Sequence, residues 1–405
     1  MDDFTFDPMD EATRRDPYPL YARARREHPI YAHRNLPVVS VFRHADIVKI
    51  FGDAETWSSD FAMFIQPYLL TQPELAEEFP PFFATTDGER HRRQRILVNK
   101  AFTPKMVRAL EASMLETARE LIDKAAGEDV VDLIPAFTAP FPVRVIGKLI
   151  GVPEADAPKF LKWSRELTES QVQGILKPPD PEFIAKQIAS TRAMHDYFKV
   201  LVAERSTDPR PDLVSALAAV EEEGARLSTP EMLQMLTILL IAGNATTTAM
   251  LGNLIVELLA HPEQLERLRA DHELIPTTVQ EVLRYSSPVQ AMPRLCAKAA
   301  KLEGIDIGAG QFVLLWIGSA NRDEAVFDRA DTFDIARTPN PHIAFGFGSH
   351  SCIGSHLASI EGCIVLRALL EGTRSFELKN REPLPMHSSF VARSYRSLPV
   401  HLVAS

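Results

Sequence analysis

Apolar residues recur at three- and four-residue spacing over 17–27, 46–51, 90–101, 104–126, 143–150 and 183–205, which predicts amphipathic helices along much of the chain. Runs with a strand-like pattern are fewer: 38–42, 312–317 and 398–403, with GIDIGAG at 304–310 reading as a hairpin. No Gly/Ser linker, charge block or internal period divides the sequence. The expectation is one domain spanning 1–405, mainly α with small β-sheets.

The best-marked element opens at Ser228-Thr229-Pro230-Glu231. A hydroxyl cap, a proline in the first turn and a glutamate three residues on are the pieces of a helix start. The pattern runs to about His261-Pro262, a rod of about 50 Å at 1.5 Å per residue. It is apolar around nearly its whole girth, so it belongs in the protein's centre. Positions 232–256 carry no charge and would reach across a bilayer, but Gln234, Thr237, Asn244, Thr246, Thr247, Thr248 and Asn253 interrupt them, which favours a core helix and no membrane anchor. Hydroxyls in its polar middle can bond to carbonyls one turn back.

The chain has 405 residues, and 44 Lys+Arg against 54 Asp+Glu give a net charge of −10. That balance offers no field for nucleic-acid phosphates. Cys296, Cys352 and Cys363 are too few for a disulfide framework, and MDDFTFDPMDEATRRD at the start has no apolar signal core, so the expected location is cytoplasmic.

Candidate chemistry concentrates in Phe345-Gly346-Phe347-Gly348-Ser349-His350-Ser351-Cys352-Ile353-Gly354. Glycines there permit tight turns and close approach of a large group. A helix starting near Gly354 aims free N–H groups at Cys352, which favours thiolate. A zinc site of His350, Cys352 and His356 lacks a fourth ligand, and the glycine spacing fails the dinucleotide pattern. For Cys296 and Cys363 a plain packing role suffices.

The ten-residue run resembles the cysteine loop of the cytochrome P450 superfamily, F-x-x-G-x-H-x-C-x-G, at every defined position. Glu281-Val282-Leu283-Arg284 is similar to its E-x-x-R motif, and Ala242-Gly243-Asn244-Ala245-Thr246 to part of its central-helix motif. The resemblance implies the cytochrome P450 fold of a soluble bacterial type with haem b as cofactor, and Cys352 as the thiolate ligand of its iron. It further implies cofactor contacts at His91, Arg95, Ala242, Arg294, Phe345, Gly346, His350 and Gly354. A thiolate pushes electron density through iron and so favours O–O cleavage. Arg92 and Arg93, facing outward, are expected to steer an acidic donor.

On the same grounds Thr246 is the proton-relay candidate. Many relatives carry an acid just before that threonine; this chain has Ala245, leaving Asn244 to organise water. The segment A-G-N-A-T is also similar to nitric oxide reductases of the superfamily, which take hydride from a nicotinamide cofactor. Their anionic cofactor wants a positive channel, whereas 60–87 carries Glu74, Glu77, Glu78 and Asp87 with no Lys or Arg. A peroxygenase and a non-catalytic haem sensor are further alternatives. The implied reaction inserts one atom of dioxygen into a small hydrophobic substrate, with electrons from a ferredoxin and its NAD(P)H-dependent reductase. Leu239, Ala242, Val289, Ala291 and Phe390 are the expected substrate wall, with Phe61, Phe64, Phe79, Phe82 and Phe83 making the entrance aromatic.

Overall fold

In the computed structural model, residues 4–33, 38–62, 66, 69, 72–168 and 180–405 are described. The central helix runs Thr229–Ala260. Ser228 Oγ accepts from the Glu231 amide at 3.3 Å, and the Glu231 carboxylate accepts from the Ser228 amide at 3.0 Å, closing the capping box that its first residues announce. It ends at His261, and Pro262 opens the next helix, Pro262–Ala270. The helix is long and apolar enough to cross a membrane, yet 72% of that apolar stretch is buried inside the molecule. Helices Pro140–Ile150, Ala157–Thr168, Pro181–Thr207, Ile275–Tyr285 and Ser355–Gly372 pack around it. Their apolar faces join its own in the largest core.

Among the described residues there are ten strands: β1 Ile30–Ala32, β2 Val38–Val41, β3 Trp57–Ser58, β4 Val131–Asp132, β5 Met292–Cys296, β6 Ala300–Leu302, β7 Ile305–Ile307, β8 Phe312–Leu315, β9 Thr373–Leu378 and β10 Pro399–Ala404. They form sheets in the orders β1-β2-β8-β5-β3, β4-β10-β9 and β6-β7. Only β2 and β8 pair in parallel. The first sheet presses one face on Ile47, Ile50 and Phe51 and the other on Phe6, Tyr21 and Phe42.

Two expectations change. The helical run 104–126 is two helices, Pro104–Arg108 and Glu111–Ala125, because Ala109 and Leu110 form a tight turn. That turn aims Met114, Ala118, Leu121, Ile122 and Ala125 inward. The hairpin is β6-β7, with Glu303 at φ 45° and Gly304 at φ 84° in its turn, the left-handed pair that suits a two-residue connection. GIDIGAG therefore supplies half of the hairpin turn, its second strand and the following turn, where the Gly310 amide donates to Cys296 O at 2.7 Å, while the first strand lies ahead of it.

Candidate active site

The cysteine loop is folded on itself. The Cys352 amide donates to Phe345 O at 2.8 Å, the Gly346 amide to Ile343 O at 2.9 Å and the Ser351 amide to Gly348 O at 3.1 Å. Gly348 sits at φ 74°, and a side chain there would come 2.8 Å from Phe51 O, so only glycine permits this approach. The Gly354 and Ser355 amides reach the Cys352 sulfur as the Ser355–Gly372 helix begins.

Burial pushes the Cys352 thiol upward; the two amides and Arg95 pull the other way without winning. Desolvation thus opposes the pull of the helix start at this sulfur. Cys352 lies deep among its neighbours while its own surface is open. Both hold for a side chain on the wall of an internal cleft.

The central helix has one open face. Ala242 and Thr246 are exposed and Leu239 half-exposed, whereas Leu240, Ile241, Asn244 and Thr247 are buried. Positions i, i+3 and i+7 share a face, so Leu239, Ala242 and Thr246 look the same way. Thr246 Oγ1 donates to Ala242 O at 2.6 Å. Asn244 is a correction: its Nδ2 donates to Ser164 Oγ at 2.8 Å on the Ala157–Thr168 helix. Two residues from Ala242 is more than half a helical turn, so it faces away from Thr246.

Four cationic or ionisable groups converge near the loop. Arg95 donates to Ser351 O at 2.6 Å. The His91 ring stacks on that of His350, with centroids 3.9 Å apart. His350 Nε2 lies 2.8 Å from Asp87 Oδ1. Arg294 is buried over the Phe51 ring at 4.8 Å, bonded through Nη1 to Pro293 O. Burial takes Arg294 down to about 10 and, with His350 and Arg95 nearby, His91 down to about 4. His91 Nε2 is buried and has no hydrogen-bond partner.

Two residues were given no role at the site by the sequence reading. Asp87 accepts from Ser58 Oγ and the Ser59 amide, both at 2.6 Å. Burial would raise it, but His350 and these donors hold it at about 2. Its place ahead of Gly88, at the start of a helix, reads as an ordinary cap. Glu361 is buried on the Ser355–Gly372 helix against Thr247, and desolvation lifts its carboxyl well above the usual range. An acid spaced among apolar helix positions was the available signal.

The substrate wall is partly revised. Val289 and Met292 are half-buried, but Ala291 and Phe390 sit in a core with Trp316 and Phe61. Alternation along an extended segment sends Ala291 to the side opposite its neighbours. Phe82 and Phe83 belong to the main core and Phe79 to a separate small one; Phe64 lies outside the described residues. Arg92 pairs with Glu89, and Arg93 with Glu231.

A central helix with an open face at Leu239, Ala242 and Thr246, together with a glycine-bound cysteine whose loop gathers His91, Arg95 and His350, points to a haem-binding oxidoreductase. A sequence profile for Cytochrome P450 matches residues 38–397, and the chain belongs to that family, whose bacterial members are monooxygenases with haem b as cofactor. It is 34% identical over 403 residues to cytochrome P450 107B1 of Saccharopolyspora erythraea, covering 97% of this chain and 96% of that one. CYP109Q5 from Chondromyces apiculatus superposes with a TM-score of 0.88 at 33% identity, over 99% and 98% of the two chains. CYP109E1 from Bacillus megaterium, solved in complex with testosterone, gives 0.85 at 30% identity, over 95% and 99%.

Proposed function

We propose that this chain oxygenates a small hydrophobic molecule at the open face of Leu239, Ala242 and Thr246, with Cys352 as the iron ligand. The observation that carries this reading is the Cys352 sulfur, set in an internal wall and approached by the Gly354 and Ser355 amides. The residues fit haem. His91 has a buried nitrogen without a partner and Arg294 a buried guanidinium bonded only to its neighbour's carbonyl. Such groups are destabilising until a polar partner meets them; the two propionates are partners of the right charge.

When bound, the cofactor supplies the redox chemistry that divides dioxygen between product and water. The protein's part is positional. Arg95 and Arg294 would hold the propionates by charge and His91 and His350 by hydrogen bonding, with Asp87 fixing His350. Phe345 shields the sulfur from water, and Gly346 keeps the loop close. Cys352 would hold the iron as thiolate, and the Gly354 and Ser355 amides at its sulfur would tune its electron donation. Ala242 leaves room for the cofactor and dioxygen. Thr246 holds its hydroxyl proton at Ala242 O and can turn to pass it on while its oxygen takes up another from water in the cleft. Asn244, turned toward Ser164, takes no part.

Electrons come from ferredoxin and its NAD(P)H-dependent reductase in a cytoplasmic setting. Phe347, exposed on the cysteine loop, offers the donor an apolar contact. Arg92 and Arg93 are already paired with glutamates, so their field at a distance is weak. A steroid is the first compound to try, given the testosterone complex of the Bacillus megaterium relative.

The test is spectroscopic. Reduced holoprotein under carbon monoxide should show the red-shifted Soret band of cysteinate ligation, and Cys352→Ser should lose it. Retention of that band by the variant would refute the assignment of Cys352.

A further inference from the structure

The Gly88–Ala101 helix lies against the cysteine loop along one edge, where Arg95 reaches Ser351 O. Its other edge meets a short turn between the Leu213–Ala219 helix and the central helix. In that turn the Glu222 amide donates to Ala225 O at 3.0 Å and the Ala225 amide to Glu222 O at 2.8 Å. Glu223 at φ 50° and Gly224 at φ 78° close it. Two successive left-handed residues make a tight hairpin connection, so the backbone under Glu221, Glu222 and Glu223 is held in one shape.

Side chains of the helix reach this turn directly. Lys100 pairs with Glu222. Arg93 donates through Nη1 to Arg226 O at 2.9 Å and through Nη2 to Glu231, just beyond the turn. Arg92, paired with Glu89, also feels the charge of the exposed Glu223. Arg93 and Lys100 are seven residues apart and share a face. At about 100° per residue, Arg92 falls on the strip between that face and Arg95, and so beside the cysteine loop. Arg92, Arg93 and Lys100 therefore meet Glu89, Glu222, Glu223 and Glu231, and cations matched in this way project little field to a distance. In a chain of net charge −10 only such a local group of cations could receive an acidic protein.

We propose that the 221–226 turn is an internal competitor for the electron donor: its carboxylates occupy the basic strip beside the cysteine loop, and an acidic donor docks there by displacing them. This rests on the ferredoxin-driven reading above. The Lys100–Glu222 pair can exchange partners at small cost, because both side chains are partly in water, 49% and 33% exposed. One incoming carboxylate gains no more than it displaces. The turn thus selects a partner that brings several clustered carboxylates at once.

The experiment titrates holoprotein by calorimetry with a plant-type [2Fe–2S] ferredoxin, a small acidic protein, at low salt. Parent, Glu222→Gln, Lys100→Gln and the double variant are compared, with Glu55→Gln as a control for net charge alone. Glu222→Gln should tighten binding about threefold, the scale of one exposed ion pair, and Glu55→Gln by less than about 1.5-fold. The gain should vanish at about 0.5 M salt. In the Lys100→Gln background the same glutamate change should give less than about 1.5-fold, since no pair remains to be broken. A Glu222→Gln protein that binds like the parent, a gain equally large without Lys100, or no binding by any of these proteins would overturn the competition. Calorimetry reads the surface and not the haem. Absence of the cysteinate Soret band under carbon monoxide would remove the haem-thiolate reading, while the titration would still decide whether the turn competes.

Discussion

Glu361 is an acid kept where its ionised form is disfavoured, fully buried with Thr247 beside it. Its folded pKa lies above the unfolded value, so above about pH 4.5 the unfolded chain gives up a proton that the folded chain retains. Stability from this residue therefore falls as pH rises through that window, by about 1.4 kcal/mol per pH unit while only the folded form holds the proton. Glu361→Gln keeps the shape and removes the titration. The urea midpoint of the variant relative to parent holoprotein should climb between pH 5 and pH 8. A difference that stays flat or shrinks with pH would show that Glu361 is ionised in the native protein.

At the scale of elements, the Ile275–Tyr285 helix acts through one turn. Arg284 donates twice to Glu281 at 2.8 Å, and to Asn321 O, Ala330 O and Thr332 O at 3.0, 2.7 and 3.0 Å. Glu281 also accepts from the Asp334 amide at 2.9 Å and from Arg337 at 3.1 Å. This pair therefore organises the stretch that leads to the cysteine loop. Arg284→Ala leaves a buried carboxylate short of its main partner, a change of about 3–5 kcal/mol. Lysine cannot reproduce the planar fork. Both variants should lose most of the haem retained on purification, and either one keeping parental haem content and urea midpoint would exclude this bracing role.

What could be read in advance follows from the same distinction. Ser228, Pro230 and Glu231 announce the central helix locally, and the spacing of Gly346, Gly348, Cys352 and Gly354 announces a turn that glycine alone allows. Glu281 and Arg284 are equally visible, though as an i,i+3 pair they resemble any surface pair until burial is known. Side chains whose direction depends on distant partners were not legible. Asn244 turns on where Ser164 lies, Phe390 on Trp316, and Phe79 on the packing of Ile184 and Ile188. A pull toward thiolate at Cys352 follows from the local helix start, and the burial that opposes it depends on the three-dimensional packing.

For the molecule as a whole, three histidines beyond His91 are held neutral by burial: His33 beside β1, His195 on the Pro181–Thr207 helix and His342 ahead of the cysteine loop, each taken down to about 4. The groups facing His195 are Gln234, Lys199, Glu78 and Asp196, and desolvation outweighs their combined effect. A histidine with a depressed folded pKa takes up its proton in the unfolded chain first, as pH falls through about 6.5. Stability is thus lost progressively between pH 6.5 and 4, and His195 alone, almost fully buried, accounts for roughly 2–3 kcal/mol over that window. Glu361 acts with the opposite sign there, since acidification protonates its unfolded form and removes its penalty. Three histidines against one carboxyl set the net direction: the urea midpoint of holoprotein should fall from pH 7 to pH 4.5. The fall should steepen in Glu361→Gln, where the opposing contribution is gone, and flatten in His195→Gln. A midpoint that holds level or rises on acidification in the Glu361→Gln protein would mean that these histidines are already charged or solvated in the native state.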